Sequence, residues 1–218
     1  MTSFASLSAS GTSAKVLVID GARRDVLWGL YTRDGALLHG ERIRDRGAAE
    51  LLASTIAAEC PAKEISAIVV GLGPGSFTGL RIVLAFAKGL ALARDIPIVG
   101  IDSLAAMQHD TADSNCVAVL EAYAGQVFAR GIDLASDVYV PALVLPHLAK
   151  HGGVCDGAVP SLPGVTLEDL HMLTQPIGLA KLGLQRLHTG ERDDLRTLAP
   201  NYARASSAEL VLANKVSQ

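Results

Sequence analysis

Along the first half of the chain, short uninterrupted apolar runs alternate with longer stretches of helical period. Residues 15–20 (KVLVID) are β-branched and apolar up to Asp20, the pattern of a strand buried on both faces. Residues 26–32 and 36–42 read as two further strands, and Arg33-Asp34-Gly35 between them has hairpin-turn composition. Residues 48–59 are helical, with Ala49, Leu52, Ala53 and Ile56 on one face and Pro61 just past the end. The apolar run 65–70 leads directly into Gly71-Leu72-Gly73-Pro74-Gly75, and the pattern then predicts a long helix over 77–94 and a strand over 96–101. Three strands, helix, strand, helix, strand is the order of a ribonuclease-H-like α/β lobe.

The second half opens the same way. Residues 116–122 and 126–133 are strand-like around an Ala124-Gly125 turn, with a shorter strand at 138–140. From 141 to 176 proline and glycine dilute the pattern, which predicts short elements and loops. Helices are expected over 178–189 and, briefly, over 208–215. This reads as an eroded second copy of the first lobe, without a repeat visible in the residues themselves. The expected organisation is a disordered tail over 1–13, a first lobe over 14–105 and a smaller second lobe over 106–218.

Composition narrows this picture. Half of the 218 residues are hydrophobic but only 4% are aromatic, so the core must be aliphatic, as in helices packed on a sheet. A charged fraction of 19% excludes a disordered polyelectrolyte, and a net charge of -3 excludes a protein that grips nucleic acid by itself. Cys60, Cys116 and Cys155 are too few for a disulfide framework and read as reduced thiols of a cytoplasmic protein. No apolar run is long enough to span a membrane, and the opening MTSFASLSASGTSA lacks the pattern of a secretory signal.

The candidate chemistry centres on residues 71–91, GLGPGSFTGLRIVLAFAKGLA. A turn built on Gly73, Pro74, Gly75 and Ser76 brings backbone close to something, either an anion at the helix N-terminus or simply the neighbouring chain. It is neither a phosphate-binding Gly-Lys-Ser/Thr loop nor a dinucleotide fingerprint. Along the helix that follows, Phe77, Leu80, Leu84, Ala87 and Ala91 gather on one face, and Ile82, Ala85, Phe86 and Gly89 on the opposite one. A surface helix needs only one apolar face. The second is either buried within its own domain or a protein–protein interface, where Gly79, Ala85 and Gly89 let a helix approach closely.

The stretch Gly73-Pro74-Gly75-Ser76-Phe77-Thr78-Gly79-Leu80-Arg81-Ile82, with Ala87-Lys88-Gly89-Leu90-Ala91, resembles the signature of the TsaB (YeaZ) family. Asp20 stands where that family has its first-strand Asp, and Pro200-Asn201-Tyr202-Ala203-Arg204 is similar to its C-terminal Pro-x-Tyr-x-Arg element. The resemblance implies two ribonuclease-H-like lobes of the actin, sugar-kinase and heat-shock-ATPase type, the second reduced. It implies a non-catalytic subunit without cofactor or metal, acting in threonylcarbamoyl transfer to the tRNA adenosine next to the anticodon. Its partner would be the transferase TsaD, with the ATPase TsaE in a larger assembly, homodimers when alone, and tRNA met only through the complex. The matching interface positions are Ala48, Ala49, Glu50, Leu52, Ile56, Thr78, Ile82, Ala85, Phe86 and Gly89.

Departures from the family point away from catalysis. Asp20-Gly21-Ala22-Arg23-Arg24 lacks the Thr-Ser that usually follows the strand, so side-chain hydroxyls for phosphate are missing. Where TsaD has a metal-binding His-x-x-x-His, this chain reads Asp102-Ser103-Leu104-Ala105-Ala106-Met107. His147 and His151 have helical metal-ligand spacing, but Gly152-Gly153 separates them from Cys155. Ser76 lacks a nucleophile-elbow context. The family's His-Ser-Glu at the first helix reads Ala48-Ala49-Glu50, and its Asp-Ala-Arg strand motif reads Glu121-Ala122-Tyr123. The alternative from another class is an enzyme acting alone, a nucleotide-dependent transferase or a peptidase. Its support is the glycine turn and the superfamily fold.

Overall fold

The computed structural model describes residues 14–44, 47–111, 113, 115–156, 162, 165, 167–169 and 175–203. The expected tail over 1–13, the helix over 208–215 and Arg204 lie outside these residues. The first sheet comprises β1 (Lys15–Asp20), β2 (Val26–Thr32), β3 (Leu37–Ile43), β4 (Ile65–Gly71) and β5 (Ile98–Ile101), in spatial order 3-2-1-4-5. β1, β2 and β3 form an antiparallel meander, and β4 and β5 add in parallel to β1. The parallel strands require crossovers. These are α1 (Ala48–Glu59), followed by a 3-10 turn at Ala62–Glu64, and α2 (Phe77–Arg94). β5 begins at Ile98, two residues later than the pattern predicts, because Ile96 and Pro97 are spent on the connection from α2.

The second sheet repeats this plan. β6 (Val117–Glu121), β7 (Val127–Gly131) and β8 (Leu134–Tyr139) form the meander, and β9 (Gly153–Cys155) and β10 (Glu168–Asp169) lie parallel to β6. The order β8-β7-β6-β9-β10 is that of the first sheet, with shorter strands. The eroded second copy is therefore real, and the fold is two ribonuclease-H-like lobes. α4 (Pro141–His151) occupies part of the segment expected to be loops. Pro141 stands at its first turn, where a missing N–H costs nothing, and Val144 and Leu148 bury one face.

Two further helices, α3 (Ser103–His109) and α5 (Ile177–His188), lie side by side between the sheets. Gly178 makes this approach feasible, since a Cβ there would collide with the Ala106 carbonyl. α3 follows the first sheet but packs Leu104 and Met107 against Ala118, Leu120 and Phe128 of the second. α5 follows the second sheet but packs Leu179, Ala180 and Leu184 against Val16, Val18, Val69 and Val99 of the first. The outer layers are α1 and α2 on the first sheet and α4 on the second. Four aliphatic cores thus separate five layers, in keeping with a sequence rich in Ala, Val, Leu and Ile.

After α5 the chain runs back over the first lobe. Asp193 accepts from the Gly100 N–H (2.7 Å) and pairs with Arg186, which protects the open edge of β5. Asn201 donates its N–H to Leu72 O (2.7 Å), and Lys88 of α2 donates to Leu198 O (3.0 Å).

Candidate functional site

The carboxyl ends of parallel strands are where open α/β sheets hold ligands. Here the end of β1 supplies Asp20, the end of β4 runs into the glycine turn, and Asp156 follows β9. Asp20 is buried and already engaged. Its Oδ1 accepts from the Ala22 N–H (3.0 Å) and the Ser103 hydroxyl (3.0 Å), and its Oδ2 pairs with Arg23 (2.7 Å). Ser103 in turn accepts from the Gly73 N–H (3.0 Å). Asp20 therefore ties the β1 loop to the glycine turn and to the start of α3.

The glycine turn is filled by protein. Ser76 donates its N–H to Ala22 O (2.6 Å), and its hydroxyl caps α2 by accepting from the Gly79 N–H (3.3 Å). A Cβ on Gly75 would lie 2.6 Å from the Ala22 carbonyl carbon, and one on Gly21 would lie 2.8 Å from Gly79 O. The glycines of the signature thus let residues 21 and 22 lie directly on the first turn of α2. Of the two readings of this turn, the geometry is that of close backbone packing. Gly73 adopts a positive φ of 88° and precedes Pro74 through a cis peptide.

Around this turn the charges are paired across the lobes. Arg42 of β3 grips Asp156 with both guanidinium nitrogens (2.9 and 2.8 Å) and also reaches Asp25 (3.3 Å). Arg23 contacts Asp156 from the other side. Burial works to raise the Asp156 carboxyl, but the hydrogen bonds of Arg42 and the charge of Arg23 outweigh it and hold it below the usual carboxylate range. Deeper between the lobes, burial pushes Asp110 up to about 6 against the Gly178 N–H bond (2.6 Å) and the charge of Arg23. Neither the inter-lobe pairing nor Asp110 is foreshadowed in the sequence, where no spacing rule links residues 23, 42, 110 and 156.

Elsewhere the candidate ligands are dispersed. His147 and His151 share α4, while Cys155 stands in β9, beyond the Gly152 that ends the helix. Burial drives the Cys155 thiol up to about 11, which keeps it protonated. His151 lines a depression of about 260 Å³ with Thr111, Asp113, Cys116 and Glu168, but burial likewise raises the Cys116 thiol. Among the described residues, no three His, Cys, Asp or Glu are placed to hold a metal ion, and no helix is long and apolar enough to cross a membrane.

The second candidate surface is α2. Leu80, Val83, Leu84, Ala87 and Ala91 face the core. On the outer side Thr78, Ala85 and Gly89 are exposed and Ile82 and Phe86 are half-buried, Phe86 leaning on the core. Leu92 continues this face at 72% exposure, and Leu51 of neighbouring α1 is 43% exposed. The α1 positions divide differently. Ala48, Leu52 and Ile56 are within the first core, Glu50 is exposed, and the Ala49 side chain is outside the described set. Their helical spacing was legible, but periodicity does not say whether a buried face meets its own sheet or another chain. At the start of α2, Arg81 lies over the Phe77 ring (4.0 Å) and donates to the Tyr202 hydroxyl (3.1 Å). The C-terminal Pro-x-Tyr element is thereby fastened to the signature helix.

Comparison with known proteins gives consistent findings. The family model described as TsaD, tRNA N6-adenosine threonylcarbamoyltransferase, matches residues 39–134. The tRNA threonylcarbamoyladenosine biosynthesis protein TsaB of Escherichia coli is 38% identical over 69 residues, 30% of each chain. The Bacillus subtilis protein of the same name is 27% identical over 172 residues, 67% of this chain and 73% of that one. The chain therefore spans under a third of the E. coli relative's length and most of the B. subtilis one's. The solved structure of YeaZ from Pseudomonas aeruginosa superposes with a TM-score of 0.63 at 19% identity, over 86% of this chain and 100% of that one.

Proposed function

The chain is a relative of the TsaB (YeaZ) proteins in sequence and fold, and from that premise we propose that it serves tRNA threonylcarbamoyladenosine biosynthesis as a non-catalytic subunit. It binds a TsaD-type transferase through the outer face of α2 and holds that enzyme in its working arrangement. The observation that carries this reading is the second apolar face of α2. Ile82, Ala85, Phe86, Gly89 and Leu92 form a stripe in which Ala85, Gly89 and Leu92 are exposed and Ile82 and Phe86 half-buried. Small residues at 85 and 89 suit the close approach of a helix, and larger ones at 82, 86 and 92 supply apolar area. Thr78 lies on the same helix, and neighbouring α1 carries the exposed Glu50 and Leu51.

The state of the cleft supports a role without chemistry of its own. Asp20 is saturated by Ala22, Arg23 and Ser103, and the glycine turn is occupied by residue 22. A nucleotide-dependent enzyme of this fold would need both. With a net charge of -3, the chain meets tRNA only through the complex, and it works in the cytoplasm with TsaE joining the assembly. Free protein pairs with itself over the same face.

The test is association with the TsaD of the same organism, followed by light scattering on a sizing column. The expected result is a heterodimer that replaces self-association and is lost in Ala85→Asp, since a carboxylate on the stripe would be buried unpaired. Ala85 is the cleaner position to change, because Phe86 also leans on the core. Undiminished binding by that variant, or no complex with the unmodified chain, would overturn the reading.

A further inference from the structure

Asp156, from the second lobe, is held among charged side chains of the first. Its side chain is 2% exposed, comes from the loop after β9, and sits between Arg23 and Arg42, whose side chains are 5% and 1% exposed. Arg42 approaches it in the two-pronged geometry by which guanidinium groups recognise carboxylates and phosphates. Among the described residues, Asp20 also pairs with Arg23 (2.7 Å) and Asp25 with Arg42 (3.3 Å), and Asp110 lies within the field of Arg23. Two arginines from β3 and the β1 loop thus form an oxyanion pocket at the mouth of the parallel strands, where a sheet of this kind would hold a ligand's anionic group.

We propose that this is a latent oxyanion site whose occupant is built into the chain: Asp156 takes the place of a ligand's phosphate or carboxylate and clasps the lobes at one fixed angle. A tethered carboxylate acts at a high effective concentration, so free anions do not displace it. The lobe angle is then independent of any small molecule. Arg24 and Glu121 also pair across the lobes (2.9 Å), but the Arg24 side chain is 86% exposed and that contact does not lock them.

Removing the carboxylate should uncover the site. Thermal unfolding of the full chain is followed for the unmodified protein, Asp156→Ala and the double variant Asp156→Ala/Arg42→Met, in sodium chloride, formate or phosphate at equal ionic strength. The single variant should melt about 10 °C lower, the scale for breaking a buried pair in a chain of this size. Formate or phosphate in the millimolar range should restore much of that loss. Asp20 and Asp25 still neutralise part of the arginine charge, which keeps the rescue weak. Neither the unmodified chain nor the double variant should respond beyond the chloride control. A single variant as stable as the parent, or a phosphate response equal in all three proteins, would overturn the proposal. Should Asp156→Ala fail to fold, Asp156→Ser also vacates the carboxylate's place while keeping a small polar side chain. The proposal then stands or falls on whether its urea midpoint drops and whether formate or phosphate raises it more than chloride does.

Discussion

Replacing Gly89 by alanine should make the free protein more stable and its complex weaker. Gly89 lies inside α2 and is exposed, and an added Cβ there would meet no atom within 4 Å. The methyl group therefore costs no space, and the helix gains the usual advantage of alanine over glycine, about 1 kcal/mol. For a chain of this size that is a rise of roughly 2–4 °C in Tm. If a partner helix rests on the stripe through Ala85 and Gly89, the same methyl enters a packed contact. Overpacking of this kind costs about 1–3 kcal/mol, or roughly 5- to 150-fold in Kd. The two effects are read separately. Urea or thermal unfolding is measured at a concentration where light scattering shows a monomer, and affinity for the TsaD-type partner by titration calorimetry. A Tm that falls would mean that residue 89 is already covered in the free chain. A Tm that rises with unchanged affinity would refute the close approach at this position.

Two further changes probe the interior. Gly75→Ala should lower stability by about 2–4 kcal/mol, because its Cβ would press on the Ala22 carbonyl and the bond from the Ser76 N–H would have to yield. An unfolding free energy from urea titration within about 0.5 kcal/mol of the parent would contradict the packing described for the glycine turn. Asp110→Asn should stabilise the protein at pH 7 and flatten its pH dependence. The folded carboxyl titrates near 6 against an ordinary value of 3.8, so its contribution favours folding at low pH and is lost as pH rises through about 6. The amide keeps an oxygen for the Gly178 N–H. An unchanged slope between about pH 4 and 6 in the variant's stability curve would show that Asp110 does not carry the effect.

The sequence was most informative where burial is complete. β1 and β4 are covered on both faces, so their residues form unbroken apolar runs that announce buried strands. α2 carries apolar residues on two sides, and periodicity left open whether the second is covered by its own domain or by another chain. Other features depend on partners that local periodicity does not name. α5 has an ordinary amphipathic stripe, and nothing in it says that the covered sheet is the first rather than the second. α4 was obscured by Pro146 within its run, although Val144 and Leu148, four residues apart, bury one of its faces. The Asp156 clasp joins residues more than a hundred positions apart, where one aspartate looks like any other.

The exchange of α3 and α5 between the sheets bears on how the protein is made. The first sheet is completed at Ile101, yet Leu179, Ala180 and Leu184, which cover its inner face, are about 80 residues further on. At synthesis rates of about 5–20 residues per second, that face waits several seconds on the ribosome for its lid. During this interval Val16, Val18, Val69 and Val99 present a bare aliphatic surface to water. A fragment ending after β5 would keep that surface permanently and be expected to aggregate. The nascent chain is most in need of a chaperone when its second half is partly made.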